Sequence, residues 1–220
     1  MPSPTQAVED YLKAVYDLSR HAGRASTSAL AARLGVAPAS VTGMVKKLAA
    51  AGLVEHVPYE GVALTAPGRR IAVETIRHHR LVETYLHEAL GVPWDRLHEE
   101  AEAWEHVLSE DLEARMDAAL GHPTHDPHGA PIPTPALELE EPAWPPLARM
   151  APGAGGVVRE VSDHDPALLR AVGAAGLYPG TAFTLVSAPP EADAFTLRLA
   201  SGETPALAPE AAAYVFVSNA

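Results

Sequence analysis

The sequence contains no cysteine among its 220 residues. That excludes a disulfide framework, a thiolate zinc site and a cysteine nucleophile together, so any metal ion must be held by nitrogen and oxygen. No stretch approaches the roughly 20 consecutive apolar residues that span a bilayer. The first residues, with Pro2, Pro4, Glu9 and Asp10, lack the basic-then-apolar order of a secretion signal. A cytoplasmic protein without membrane contact is expected. There is no internal repeat, no nucleophile elbow and no phosphate-binding glycine loop, which removes the commonest frames for acyl and phosphoryl transfer.

What is present is a chain with 47% apolar residues, large enough to divide into two or three units. The net charge of −12 argues at first against nucleic acid, because affinity for DNA comes from Lys and Arg against phosphate. Its distribution reverses that impression. Residues 1 to 70 carry eight Lys/Arg and five Asp/Glu, a net of +3, whereas residues 71 to 125 carry four and twelve, and residues 126 to 220 four and eleven. Eight of the eleven histidines fall between His78 and His128, inside or just after the acidic middle. Imidazoles among carboxylates are the raw material of a metal site.

Val8, Tyr11, Leu12, Val15 and Tyr16 recur at helical spacing and predict an amphipathic first helix. Ser26, Thr27 and Ser28 offer N-caps to a short helix over 29–34 that Gly35 can close. Pro38 then opens another helix with Val41, Met44, Val45 and Leu48 inward. Two short helices joined by a turn containing Gly form a helix-turn-helix. The β-prone runs 53–57 and 62–65 around Pro58–Gly61 predict a hairpin, hence a wing. On the second helix, Ala39, Ser40, Thr42, Gly43, Lys46 and Lys47 remain for a DNA major groove. Small and hydroxyl side chains admit base edges, and lysines meet phosphates. The alternative is a winged helix used only for protein contacts, against which the basic balance of this segment speaks.

Thr65 caps a long helix to about Leu90, a further helix is predicted over 93–108, and Ser109 begins another that Gly121 closes. Eight prolines among residues 126–152 predict an extended linker, with the compact chain resuming near Gly153. Beyond it, runs at 157–158, 182–186, 195–199 and 213–217 read as strands, and 166–175 as a helix, in keeping with a small β-barrel.

Two ligand sets follow from spacing. His79 and Glu83 lie four apart on the long helix; on the next, Glu102, Glu105 and His106 are expected on one helix face, with His98 preceding them. The stretch from His98 to Glu102 is one residue from the zinc-protease pattern H-E-x-x-H. Its second histidine is absent, which disfavours a metallohydrolase.

Glu9-Asp10-Tyr11-Leu12 with Tyr16, Val41-Thr42, Leu64-Thr65-x-x-Gly68, His78-His79-Arg80-Leu81, the segment His98 to Ser109 and His122-Pro123 to Pro133 together resemble the diphtheria toxin repressor family of metal-dependent regulators, over nearly the whole chain. The resemblance implies a mainly α chain with a small β part: a winged helix-turn-helix over 1–67, a helical dimerisation and metal domain over 68–125, a Pro-rich linker over 126–152 and an SH3-like β-barrel, FeoA-like, over 153–220. It implies a non-enzymatic regulator, in the first instance a repressor, that binds a palindromic double-stranded operator as a C2 homodimer when Mn(II) or Fe(II) is bound. The primary metal site maps onto Asp10, Glu102, Glu105 and His106, and the ancillary site onto His79, Glu83 and His98 with help from Asp163, His164 or Asp165. Lys13 stands where the manganese branch has a carboxylate, which argues against a closely spaced binuclear cluster. Asp10 and Glu102 stand where the iron branch has sulfur ligands. Hard oxygens with one nitrogen suit Mn(II).

Overall fold

A computed structural model of the chain describes residues 4–219. The chain separates into two compact units, the first formed by Met1–His78, Glu105–Leu108 and Pro133–Leu139, the second by His79–Trp104, Ser109–Ile132 and Glu140–Ala220.

In the first unit, α1 (Gln6–Ala22) buries Tyr11, Leu12, Val15 and Tyr16. Ser26 caps α2 (Thr27–Leu34) by accepting from Ala29 N–H at 3.1 Å, and Gly35 closes it at φ 64°. Helix α3 (Pro38–Ala50) starts on its proline and buries Val41, Val45 and Leu48; the chain bends by 110° between α2 and α3, within the helix-turn-helix range. Strands β1 (Val54–Val57) and β2 (Gly61–Leu64) form an antiparallel hairpin with Val54 opposite Leu64, and Val62 also bridges to Ala25. Thr65 joins the wing to α4 (Ala66–Leu90), donating to Gly52 O at 2.7 Å and accepting from Gly68 N–H. Gly68 is required there, because a Cβ would lie 1.9 Å from the Leu53 carbonyl oxygen. Leu137 and Leu139 pack on this core from far along the chain.

The second unit contains the rest of α4, a 3-10 turn at Trp94–Arg96 leading into α5 (Leu97–Trp104), and α6 (Glu110–Ala119), capped by Ser109. Beyond a second 3-10 turn at Leu147–Arg149 come β3 (Gly155–Val161), α7 (Pro166–Ala174), β4 (Ala182–Ser187), β5 (Phe195–Leu199), β6 (Ala206–Leu207), α8 (Pro209–Ala212) and β7 (Val215–Asn219). The strands form one antiparallel sheet in the order β6-β5-β4-β3-β7, with bulges in β3 and between β4 and β5. Val158, Leu185, Leu197, Val215 and Val217 fill its core.

Two expectations change. The helix expected to run to Leu108 ends at Trp104, and residues 105–107 form a turn, so Glu102, Glu105 and His106 do not share a helix face. The proline-rich stretch is not a free extended linker. Asp126, His128, Ala130 and Ile132 are buried, and Leu147 already belongs to the second core, so the compact chain resumes before Gly153.

Candidate metal centres

In the first unit, α1 carries Glu9, Asp10 and Lys13, and the 105–107 turn supplies Glu105 and His106. His78 Nδ1 pins that turn by donating to the Glu105 carbonyl at 3.1 Å. His106 Nδ1 lies 2.5 Å from Glu9 Oε2, and its Nε2 lies 2.8 Å from Asp10 Oδ1 and 3.4 Å from Glu105 Oε1. A carboxylate can only accept, so Nδ1 carries the proton given to Glu9, and Nε2 faces two further carboxylates either as the second N–H of an imidazolium or, on the neutral ring, as a lone pair directed at a shared cation. That nitrogen is buried and makes no well-formed hydrogen bond. Three carboxylates around one imidazole call for positive charge at Nε2, which a second proton or a metal ion supplies. Asp10, Glu105 and His106 therefore fit a metal ion, with Glu9 orienting the imidazole from behind.

The second cluster lies wholly in the second unit. His79 Nε2 is 3.3 Å from Glu83 Oε1, 3.2 Å from His98 Nδ1 and 4.0 Å from Asp163 Oδ2, and His98 Nδ1 is 3.0 Å from that same Asp163 oxygen. Two ligand atoms at right angles around one ion, each ~2.1 Å from it, lie about 3 Å apart, which is the spacing of these facing nitrogens. Glu83 is fully buried, yet neither of its oxygens makes a well-formed hydrogen bond. Burial alone would raise its pKa, but the His79 and His128 imidazoles outweigh that and hold it down at about 2. Asp163 is likewise held well below the carboxylate range against its burial, by His98 and His164.

Asp126 and His128 stand on the other side of Glu83, with His128 Nδ1 3.6 Å from its Oε1. Asp126 Oδ1 accepts from the N–H groups of His128 at 2.8 Å and Ala130 at 3.0 Å, a local turn that aims the imidazole inward. His128 Nε2 donates to the Trp94 carbonyl at 3.0 Å, which leaves Nδ1 toward Glu83. Burial and the Glu83 charge push Asp126 up to about 7. Burial would lower His128, but Glu83 and Asp126 lift it to about 9. A proton on His128 thus adds positive charge to a carboxylate cluster that Arg80 already meets, its Nε 3.7 Å from Asp126 Oδ2.

Of the residues singled out from the sequence, the structure gathers Asp10, Glu105 and His106 in one cluster and His79, Glu83, His98 and Asp163 in another. Glu102 lies in the second unit behind the two imidazoles, its Oε1 3.7 Å from His79 Nδ1 and 3.8 Å from His98 Nε2. His164 Nδ1 contacts its neighbour Asp163 at 3.1 Å. Asp165 instead caps α7, accepting from the N–H groups of Ala167 and Leu168. The sequence reading missed Glu9, Asp126 and His128. The last two were within reach as an Asp-x-His pair at the end of the histidine-rich acidic stretch. On α3, Ala39, Ser40, Thr42, Gly43, Lys46 and Lys47 are all exposed, and nothing lies within 4 Å of a Cβ built on Gly43.

Residues 4–62 match the family described as iron dependent repressor, N-terminal DNA binding domain, and residues 65–134 its metal binding and dimerisation domain; residues 146–219 match the FeoA domain. The iron-dependent repressor IdeR of Mycobacterium tuberculosis is 32% identical over 201 residues, 82% of this chain and 84% of its own. The transcriptional regulator MntR of Escherichia coli O157:H7 is 41% identical over 106 residues, 48% of this chain and 68% of its own. A manganese-dependent transcriptional repressor solved in complex with manganese superposes with a TM-score of 0.90 at 36% identity, over 97% of this chain and all of the other.

Proposed function

From the premise that this chain belongs to the iron-dependent repressor family, and is a metal-dependent, DNA-binding transcriptional repressor that controls metal homeostasis, we propose that it holds Mn(II) or Fe(II) at two centres. Asp10, Glu105 and His106 form the first; His79, Glu83, His98 and Asp163, with His128 and Asp126 beside them, form the second. The carrying observation is the buried His106 Nε2 set between two carboxylates. A bound dication supplies the charge that such a cluster needs.

Asp10 belongs to the helix that packs behind the helix-turn-helix, and Glu105 and His106 to the stretch matched as metal binding and dimerisation domain. Converging on one ion, these side chains fix α1 against the 105–107 turn. That restraint favours the arrangement in which the two α3 helices of a C2 homodimer enter successive major grooves of a palindromic operator. There Ala39, Ser40, Thr42 and Gly43 face base edges, and Lys46 and Lys47 face phosphates. A coupling of roughly 1–3 kcal/mol raises affinity about 5- to 150-fold. The chain acts by binding, with no catalytic step. Its place is the cytoplasm, where its DNA is; among the described residues no single helix is long and apolar enough to cross a membrane.

The donor sets contain no sulfur and are rich in carboxylate oxygen, which suits Mn(II) at least as well as Fe(II), while Zn(II) or Ni(II) bind more tightly in raw affinity. Operator binding measured with Mn(II) and again with chelator tests the reading. Tight binding only with metal is expected; equal affinity in both would leave a metal-independent regulator in its place.

A further inference from the structure

Lys13 lies three residues after Asp10 on α1, so both project from one face of the helix. Its ammonium is buried and donates to both Glu105 oxygens, at 2.7 and 3.0 Å. Glu105 is itself 1% exposed, and its Oε1 is also the oxygen that faces His106 Nε2. One carboxylate is therefore claimed by a fixed cation and by the candidate metal centre together.

We propose that Lys13 is a built-in competitor for the first centre, a tethered cation that holds Glu105 when metal is scarce and sets the free metal concentration at which the centre fills. The proposal rests on the reading that Asp10, Glu105 and His106 hold metal. An incoming dication must take Glu105 from the ammonium or share the carboxylate with it. Both cost free energy, the second because like charges a few ångströms apart in a buried site are poorly screened.

The test is Mn(II) binding to the full-length protein by calorimetry and by metal counting after equilibrium dialysis, with Asp10→Ala identifying which binding step belongs to the first centre. Lys13→Met should tighten that step by roughly 10- to 100-fold, the size of effect that neighbours of metal ligands exert, with unchanged stoichiometry. Lys13→Gln repeats the measurement should the Met variant fold poorly. Lys13→Arg should behave like wild type. Affinity within about twofold of wild type in both neutral variants overturns the proposal while the centre itself stands. Asp10→Ala binding as many ions as wild type would instead remove the first centre, and the proposal with it.

Discussion

His106 and Asp165 illustrate how unevenly a residue's role can be read from sequence. His106 was legible because a histidine beside a glutamate in an acidic, histidine-rich stretch calls for a ligand. Its partner Glu9 was not, since a carboxylate that orients an imidazole leaves no spacing signature of its own. Asp165 looked like a ligand beside Asp163 and His164, yet its place ahead of Pro166 makes it an N-cap. Asp126 and His128 form an Asp-x-His pair, but they stand among prolines that read as a linker. Proline removes backbone donors, and here the Asp126 side chain organises the turn by taking the N–H groups of His128 and Ala130. These assignments separate experimentally. Asp165→Ala should lower stability by about 0.5–2 kcal/mol, the usual cost of a lost cap, with Mn(II) affinity unchanged. His98→Ala, which removes a nitrogen of the second cluster, should weaken the second metal-binding step. Calorimetry with parallel denaturant melts distinguishes the two, and a weakened metal step in Asp165→Ala would return that residue to the ligand set.

At the scale of elements, α1, α2, α3 and the wing could be read because each carries its own start and stop: Ser26 before α2, Gly35 after it, Pro38 opening α3, Thr65 closing the wing. The end of α5 could not, because no glycine or proline follows Trp104 and helical spacing continues through His106. Tertiary contacts decide it. Helix propensities differ by well under 1 kcal/mol among ordinary residues, and the buried contacts of Glu105 with Lys13 and of His106 with Glu9 and Asp10 require a turn there. The recognition helix carries the opposite conflict, a glycine at mid-helix where nothing crowds it. Its use is in the open space outside α3. Gly43→Ala should stabilise the protein by roughly 0.5–1 kcal/mol, and Gly43→Leu, equally free of clashes within the fold, should abolish tight operator binding. Melting curves and operator titrations on the same samples check this; full operator affinity in Gly43→Leu would place base readout elsewhere.

For the whole molecule, metal and fold are thermodynamically linked. Ions that bind the folded chain and not the unfolded one stabilise it by about 2.7 kcal/mol per site at a hundredfold excess over Kd. The melting temperature should therefore climb with Mn(II) and fall back with chelator. The rise should shrink in Asp10→Ala and in Glu83→Ala separately, since their clusters lie in different units. A melting temperature indifferent to Mn(II) in wild type would contradict both centres. The interleaved path of the first unit carries a further consequence. Its core takes Leu137 and Leu139 from beyond the second unit's helices, and its candidate metal cluster takes Glu105 and His106 from between α5 and α6. A fragment ending after the wing would keep α3 intact yet leave apolar surface bare and Asp10 without its companions. The DNA-binding unit is thus not a detachable module: recombination or truncation that respects the linear order of the sequence would cut through it.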